Sequence, residues 1–153
     1  MKKISKHISY KEATHSDTAK RKKITNKPKA EHIENMELLA EKVFEPLREW
    51  VEAPIQVNSM FRSKELNSVL KGSLNSSHLT GNAMDITSMG GKTNLEMFHY
   101  IKDNLDFDQL IWEFGAEPKW LHVSYVNEKD NRKQVLVTKR KNKYYTWSDC
   151  INC

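Results

Sequence analysis

From residue 30 onward the apolar positions recur at threes and fours. Ile33, Met36, Ala40, Val43, Leu47 and Trp50 lie on one stripe and predict an amphipathic helix. Pro46 falls inside that stripe, where it should kink the helix or begin a new turn, and Pro54 closes the segment. The stretch I-Q-V-N-S-M at 55–60 alternates and is partly β-branched, so it predicts a strand. Ser63 can cap a short helix running through Leu70 and ending at Gly72. A Ser/Asn-rich loop then leads into A-M-D-I-T, a second strand, which Gly90 and Gly91 break. Residues 94–104 predict another amphipathic helix, with Leu95, Phe98, Ile101 and Leu105 on one face. Three β segments follow at 109–114, 120–126 and 134–139. A turn at Lys141 and Asn142 should bring 144–147 back as a hairpin partner. Helices come early and strands late, which is the pattern of a single-domain α+β fold around a mostly antiparallel central sheet.

Residues 1–29 carry a different pattern. They are polar and basic, and Ile4, Ile8 and Tyr10 are the few apolar residues able to pin a short segment. We expect this part to be partly ordered at best, the folded domain to span 30–148, and 149–153 to form a tail.

At 153 residues, with 38% hydrophobic and 29% charged residues, the chain suits one domain with one core. Four Trp, five Tyr and five Phe argue against wholesale disorder. No apolar run is long enough to cross a bilayer, so no membrane insertion is expected, and the basic N-terminus lacks the apolar stretch of a secretory signal. We expect synthesis in the cytoplasm and a monomer. The net charge of +5 is concentrated at 20–29 and 139–143. Neither run interleaves aromatics, so both read as solvated surface or general attraction to a polyanion such as cell wall, with no specific nucleic-acid partner. Cys150 and Cys153 form a C-x-x-C with no second pair to complete a structural zinc site. A tail with two free thiols is the expectation.

The candidate chemistry lies in S-S-H-L-T-G-N-A-M-D-I-T, residues 76–87. His78 sits in the polar loop and Asp85 in the apolar strand after it. A carboxylate half-buried among Ala83, Met84 and Ile86 is costly unless a cation or a partner is fixed beside it. Further on, W-L-H-V-S-Y puts His122 on a strand face with Trp120 and Ser124. Two imidazoles and a carboxylate can hold a catalytic zinc and leave its fourth position open. Taken singly, each has an ordinary structural reading: a strand His hydrogen-bonded in a core, or an Asp that is salt-bridged or caps a turn. The sequence does not show that the two strands are neighbours.

The pattern S-x-H-x-x-G-x-A-x-D, present as Ser76, His78, Gly81, Ala83 and Asp85, with W-x-H-x-S at Trp120, His122 and Ser124, resembles the signature of the zinc D-alanyl-D-alanine carboxypeptidase-like peptidases. This is the peptidase M15 family, related to phage L-alanyl-D-glutamate endopeptidases and to the Hedgehog signalling domain. V-F-E-P-L-R-E at 43–49, I-Q-V-N-S-M-F-R-S at 55–63 and Q-L-I-W-E-F-G at 109–115 resemble family segments in the same order. The resemblance covers roughly residues 30–126. It implies a sheet with helices on one side, and a zinc peptidase domain at 30–148.

By position, the resemblance implies that His78, Asp85 and His122 are the zinc ligands and that Arg62 helps hold substrate near the reacting centre. Ser76, Trp120 and Ser124 would contact substrate or support the ligands. Several branches of the family place the catalytic acid three residues before the last His ligand, but here that residue is Lys119. Glu113 and Glu117 are the alternatives. Glu113 is preferred because its aromatic neighbours Trp112 and Phe114 should desolvate it, and because its position matches the Glu of this subgroup. The implied activity is zinc-dependent hydrolysis of peptidoglycan stem peptides, at D-Ala-D-Ala or L-Ala-D-Glu, at the cell wall after phage-type release or as a virion component. A wall-binding module without activity is the alternative on the same fold.

Overall fold

The computed structural model describes residues 2–140 and 143–147. The chain begins with a small antiparallel pair, β1 (Lys3–Ser5) and β2 (Ile8–Ser9), followed by two short helices, α1 (Tyr10–Thr14) and α2 (Asp17–Lys22). This departs from the expectation for residues 1–29. The apolar anchors are few, but Ile4, Ile8 and Ala13 all join the main core. Polar groups fasten the rest. Glu45 accepts hydrogen bonds from Ser5 Oγ at 2.6 Å and from the His7 amide at 3.0 Å. The Asn26 side chain donates to the carbonyls of Thr14 and Phe61 and accepts from the Ser63 amide at 2.7 Å. A pattern of apolar residues does not register such ties.

The predicted helix runs as α3 (Ala30–Leu39), one π-helical turn (Ala40–Phe44) and α4 (Glu45–Val51). Pro46 lies in the first turn of α4, and the π turn just before it accommodates the missing donor. Met36, Leu39, Ala40, Val43, Phe44 and Leu47 face the core as the periodicity requires.

The remaining elements are β3 (Ile55–Ser59), α5 (Lys64–Val69), a 3-10 turn (Ser77–Thr80), β4 (Ala83–Ser88), α6 (Asn94–Asn104), β5 (Gln109–Glu113), β6 (Trp120–Ser124), β7 (Gln134–Arg140) and β8 (Lys143–Thr146). Ser63 caps α5 by accepting from the Leu66 amide at 3.2 Å, and Thr93 and Glu96 form a capping box on α6. The turn expected at Lys141 and Asn142, and Cys150 and Cys153, lie outside the described residues.

β3 to β8 form one six-stranded sheet in the order β3-β4-β6-β5-β7-β8. Only β5 and β7 run parallel; the other neighbours are antiparallel. Strand alternation divides the sheet into two faces. Met84, Ile86, Leu110, Leu121 and Val123 are buried in a core shared with α3, α4 and α6. The residues between them on the same strands, Asp85, Ile111, Glu113 and His122, turn to the other face and line a cleft of about 710 Å³.

Candidate metal centre

The two strands that carry Asp85 and His122 are neighbours, and these two residues are direct register partners across the ladder. His78 comes from the 3-10 turn that precedes β4. Ser76 caps that turn, its Oγ accepting from the His78 amide at 3.2 Å. Gly81 ends it with φ +80°, and an added Cβ would stand 2.4 Å from the His32 carbonyl oxygen on α3. Only glycine meets both conditions without strain. The turn is also tied to the segment after β3, where the Arg62 amide donates to the His78 carbonyl at 3.1 Å.

The result is one compact group. The ligand atoms of His78, Asp85 and His122 all lie within 4.8 Å of one another. His78 Nε2 is 3.3 Å from Asp85 Oδ2, and His122 Nδ1 is 3.1 Å from Asp85 Oδ1. Donor atoms around a tetrahedral zinc stand about 3.4 Å apart, given bonds of about 2.0–2.1 Å.

The protonation pattern supports a cation here. His78 Nδ1 is 2.7 Å from the Met60 carbonyl oxygen. A carbonyl only accepts, so Nδ1 carries a proton, and Nε2 is the ring atom turned toward Asp85. That nitrogen is buried, has no hydrogen-bond partner among the described residues, and points at a carboxylate oxygen. A positive charge beside the carboxylate, a proton on the ring or a metal ion between the two groups, offsets the cost of burying it. Burial alone would raise the Asp85 pKa. His78 and His122 beside it, with the hydrogen bond from His122, overcome that and hold its carboxyl well below the usual carboxylate range. The donor set therefore fits a zinc ion with one position left open.

Glu113 lines the same cleft and is 9% exposed. Burial raises its pKa to about 7, helped by the Asp85 charge and opposed by His122. Its strand neighbour Trp112 turns to the opposite face and packs edge-on against Phe98 at 5.4 Å. Glu117 is exposed on the turn after β5 and does not line the cleft, and Lys119 is exposed beside it. Arg62 lines the cleft with its Nε buried and without a hydrogen-bond partner among the described residues. Burial pushes its guanidinium below its ordinary value, against the pull of Asp85. Ser76 and Trp120 also line the cleft.

Ser124 does not line the cleft. It is fully buried beneath it, its Oγ accepting from the Gln109 amide at 3.1 Å and donating to Asp108 Oδ2 at 3.5 Å. Among the cleft residues that the sequence did not single out are Gln109, Arg132 and Tyr144. Tyr144 reaches the cleft because Thr138 on β7 pairs with both Glu113 and Tyr144. Burial, Glu113 and Asp85 all raise its phenol pKa.

A search among proteins with curated descriptions gives no match. A family model described as Peptidase M15 matches residues 6–124, a span that holds His78, Asp85, Glu113 and His122. The chain is thus a peptidase that belongs to the peptidase M15 family.

Proposed function

We propose that the protein is a zinc-dependent peptidase that hydrolyses peptide bonds in peptidoglycan stem peptides, of the D-Ala-D-Ala carboxypeptidase or the L-Ala-D-Glu endopeptidase type. We place its action at the cell wall, in the manner of a phage endolysin. The observation that carries the reading is the buried, unpartnered Nε2 of His78 converging on Asp85 beside His122 Nδ1.

In this reading His78, Asp85 and His122 hold the ion, and Met60 fixes the His78 tautomer from behind. When bound, zinc supplies Lewis acidity and lowers the pKa of water at the site. Glu113 takes a proton from the attacking water and returns it to the leaving amine. A pKa near 7 leaves it partly ionised at neutral pH, so it can act in both directions. Arg62 lines the cleft and offers a planar fork to a substrate carboxylate or carbonyl. The net charge of +5 favours approach to an anionic wall.

The test is digestion of purified cell wall by the full chain, with muropeptide mass spectrometry and zinc content measured together. The expected result is about one zinc per chain, cleavage within stem peptides, and loss of cleavage on chelation with recovery on zinc addition. Glu113→Gln should retain zinc and lose turnover. Wall binding without cleavage by the zinc-loaded protein would leave the binding-module reading in its place.

A further inference from the structure

The floor of the cleft gives the site a direction. Gln109, Ile111 and Glu113 all face it from β5, and successive members are about 7 Å apart along an extended strand. Ile111 is paired with His122, Glu113 with Trp120, and Gln109 with Ser124. The metal-ligand row therefore lies between Glu113 at one end and Gln109 at the other.

At the Gln109 end stands Arg132, held by the residue just before β5. Asp108 Oδ1 accepts from the Arg132 amide at 3.0 Å and from its Nε at 2.9 Å, and Oδ2 accepts from Nη2 at 2.8 Å. The pair is lopsided. The Asp108 side chain is 6% exposed, while the Arg132 side chain is 57% exposed and lines the cleft. Nε and Nη2 are committed to Asp108, whereas Nη1 makes no hydrogen bond to protein among the described residues. The guanidinium is thus held by Asp108 with Nη1 left over in a cleft-lining residue, and ordering it on binding costs little.

Resting on the peptidase reading above, we propose that Arg132 is a specificity-determining residue that binds a carboxylate of the substrate on the side of the metal centre away from Glu113. The preferred substrate is then an acidic peptide with a free carboxylate about one residue from the scissile bond. Asp108 and Ser124 are the positioning residues that hold Arg132 in place.

The experiment uses the zinc-loaded full chain and two synthetic stem peptides that differ only in the D-glutamyl α-carboxyl group, free in one and carboxamide in the other. The wild type should favour the acid by about tenfold in kcat/KM, the size of one charge-assisted hydrogen bond, expressed mainly in KM. Arg132→Gln should remove the preference by raising KM for the acid alone, and Arg132→Lys should restore part of it. Equal losses on both peptides, or a preference that survives Arg132→Gln, would overturn the proposal in favour of a loop clamp. Should Arg132→Gln fail to fold, Arg132→Lys decides by the same acid-to-amide ratio. Calorimetric binding of both peptides to zinc-free protein separates this idea from the peptidase reading. An Arg132-dependent preference for the acid without hydrolysis keeps the anchor and removes the activity. Hydrolysis without preference, or no binding of either peptide, removes the anchor.

Discussion

Asp85 and His122 face each other across an antiparallel strand pair, with Oδ1 3.1 Å from Nδ1. Strand register thus brings together two residues 37 positions apart. His78 closes the group from a turn whose shape depends on Gly81. Two members of the group on a hydrogen-bonded sheet and one on a capped turn make a cluster that the fold itself arranges and that could hold a metal ion.

Replacing any one ligand should abolish zinc retention. Alterations behind a metal ligand already cost about 10–100-fold in affinity, and loss of a ligand itself should exceed that. His78→Ala, Asp85→Ala and His122→Ala should each lose the metal after dialysis, as read by elemental analysis, and lose wall cleavage with it. If one of these variants keeps both, that residue is not a ligand.

Arg62→Lys should raise KM about tenfold or more without unfolding the protein. A lysine keeps the charge but replaces a planar fork with a point donor. The Arg62 amide, which ties the segment to His78, is untouched by the change. Steady-state kinetics beside a thermal melt would check this. An unchanged KM would take Arg62 out of substrate binding.

Local pattern carried much of this architecture. Helix α6 spans the predicted residues because Thr93, Glu96 and the 3.6-residue period all agree. The candidate metal group was legible through the spacing of Ser76, His78, Gly81, Ala83 and Asp85 and its resemblance to the family signature, while the β4–β6 pairing that brings His122 to Asp85 has no local signal. Other features depend on pairing between distant strands. Nothing local in 134–139 indicates that β7 lies parallel to β5, and that pairing carries Arg132 to Asp108 and Tyr144 to the cleft. Ser124 supports the site from beneath and does not line it. Alternation puts it on the face of His122, but the Asp108–Arg132 loop covers it.

The N-terminal arm gives a stability prediction. Ile8 is fully buried in the main core. Ile8→Ala should cost about 2–5 kcal/mol, from lost transfer energy plus the cavity left behind. Lys20→Gln, an exposed change on the same arm, should stay within about 0.5 kcal/mol. Denaturant titration of both distinguishes an integral arm from a loosely attached one, for which Ile8→Ala would be nearly silent.

Glu113 makes folding of the zinc-free protein sensitive to pH in a calculable direction. Its carboxyl has a pKa raised from 4.5 to about 7 in the folded state. Below pH 4.5 the group is protonated in both states and carries no penalty. Between 4.5 and 7 the unfolded chain ionises while the folded one keeps its proton, so stability falls as pH rises, and it levels off above 7. The full difference is about 3 kcal/mol. Glu113→Gln lacks this group, so the comparison isolates its contribution. The stability of Glu113→Gln relative to wild type should therefore climb by about 3 kcal/mol between pH 4.5 and 8 in chelator, measured by urea unfolding. A difference that stays flat across that range would mean Glu113 titrates as an ordinary surface acid, and its place as the general base would go with it.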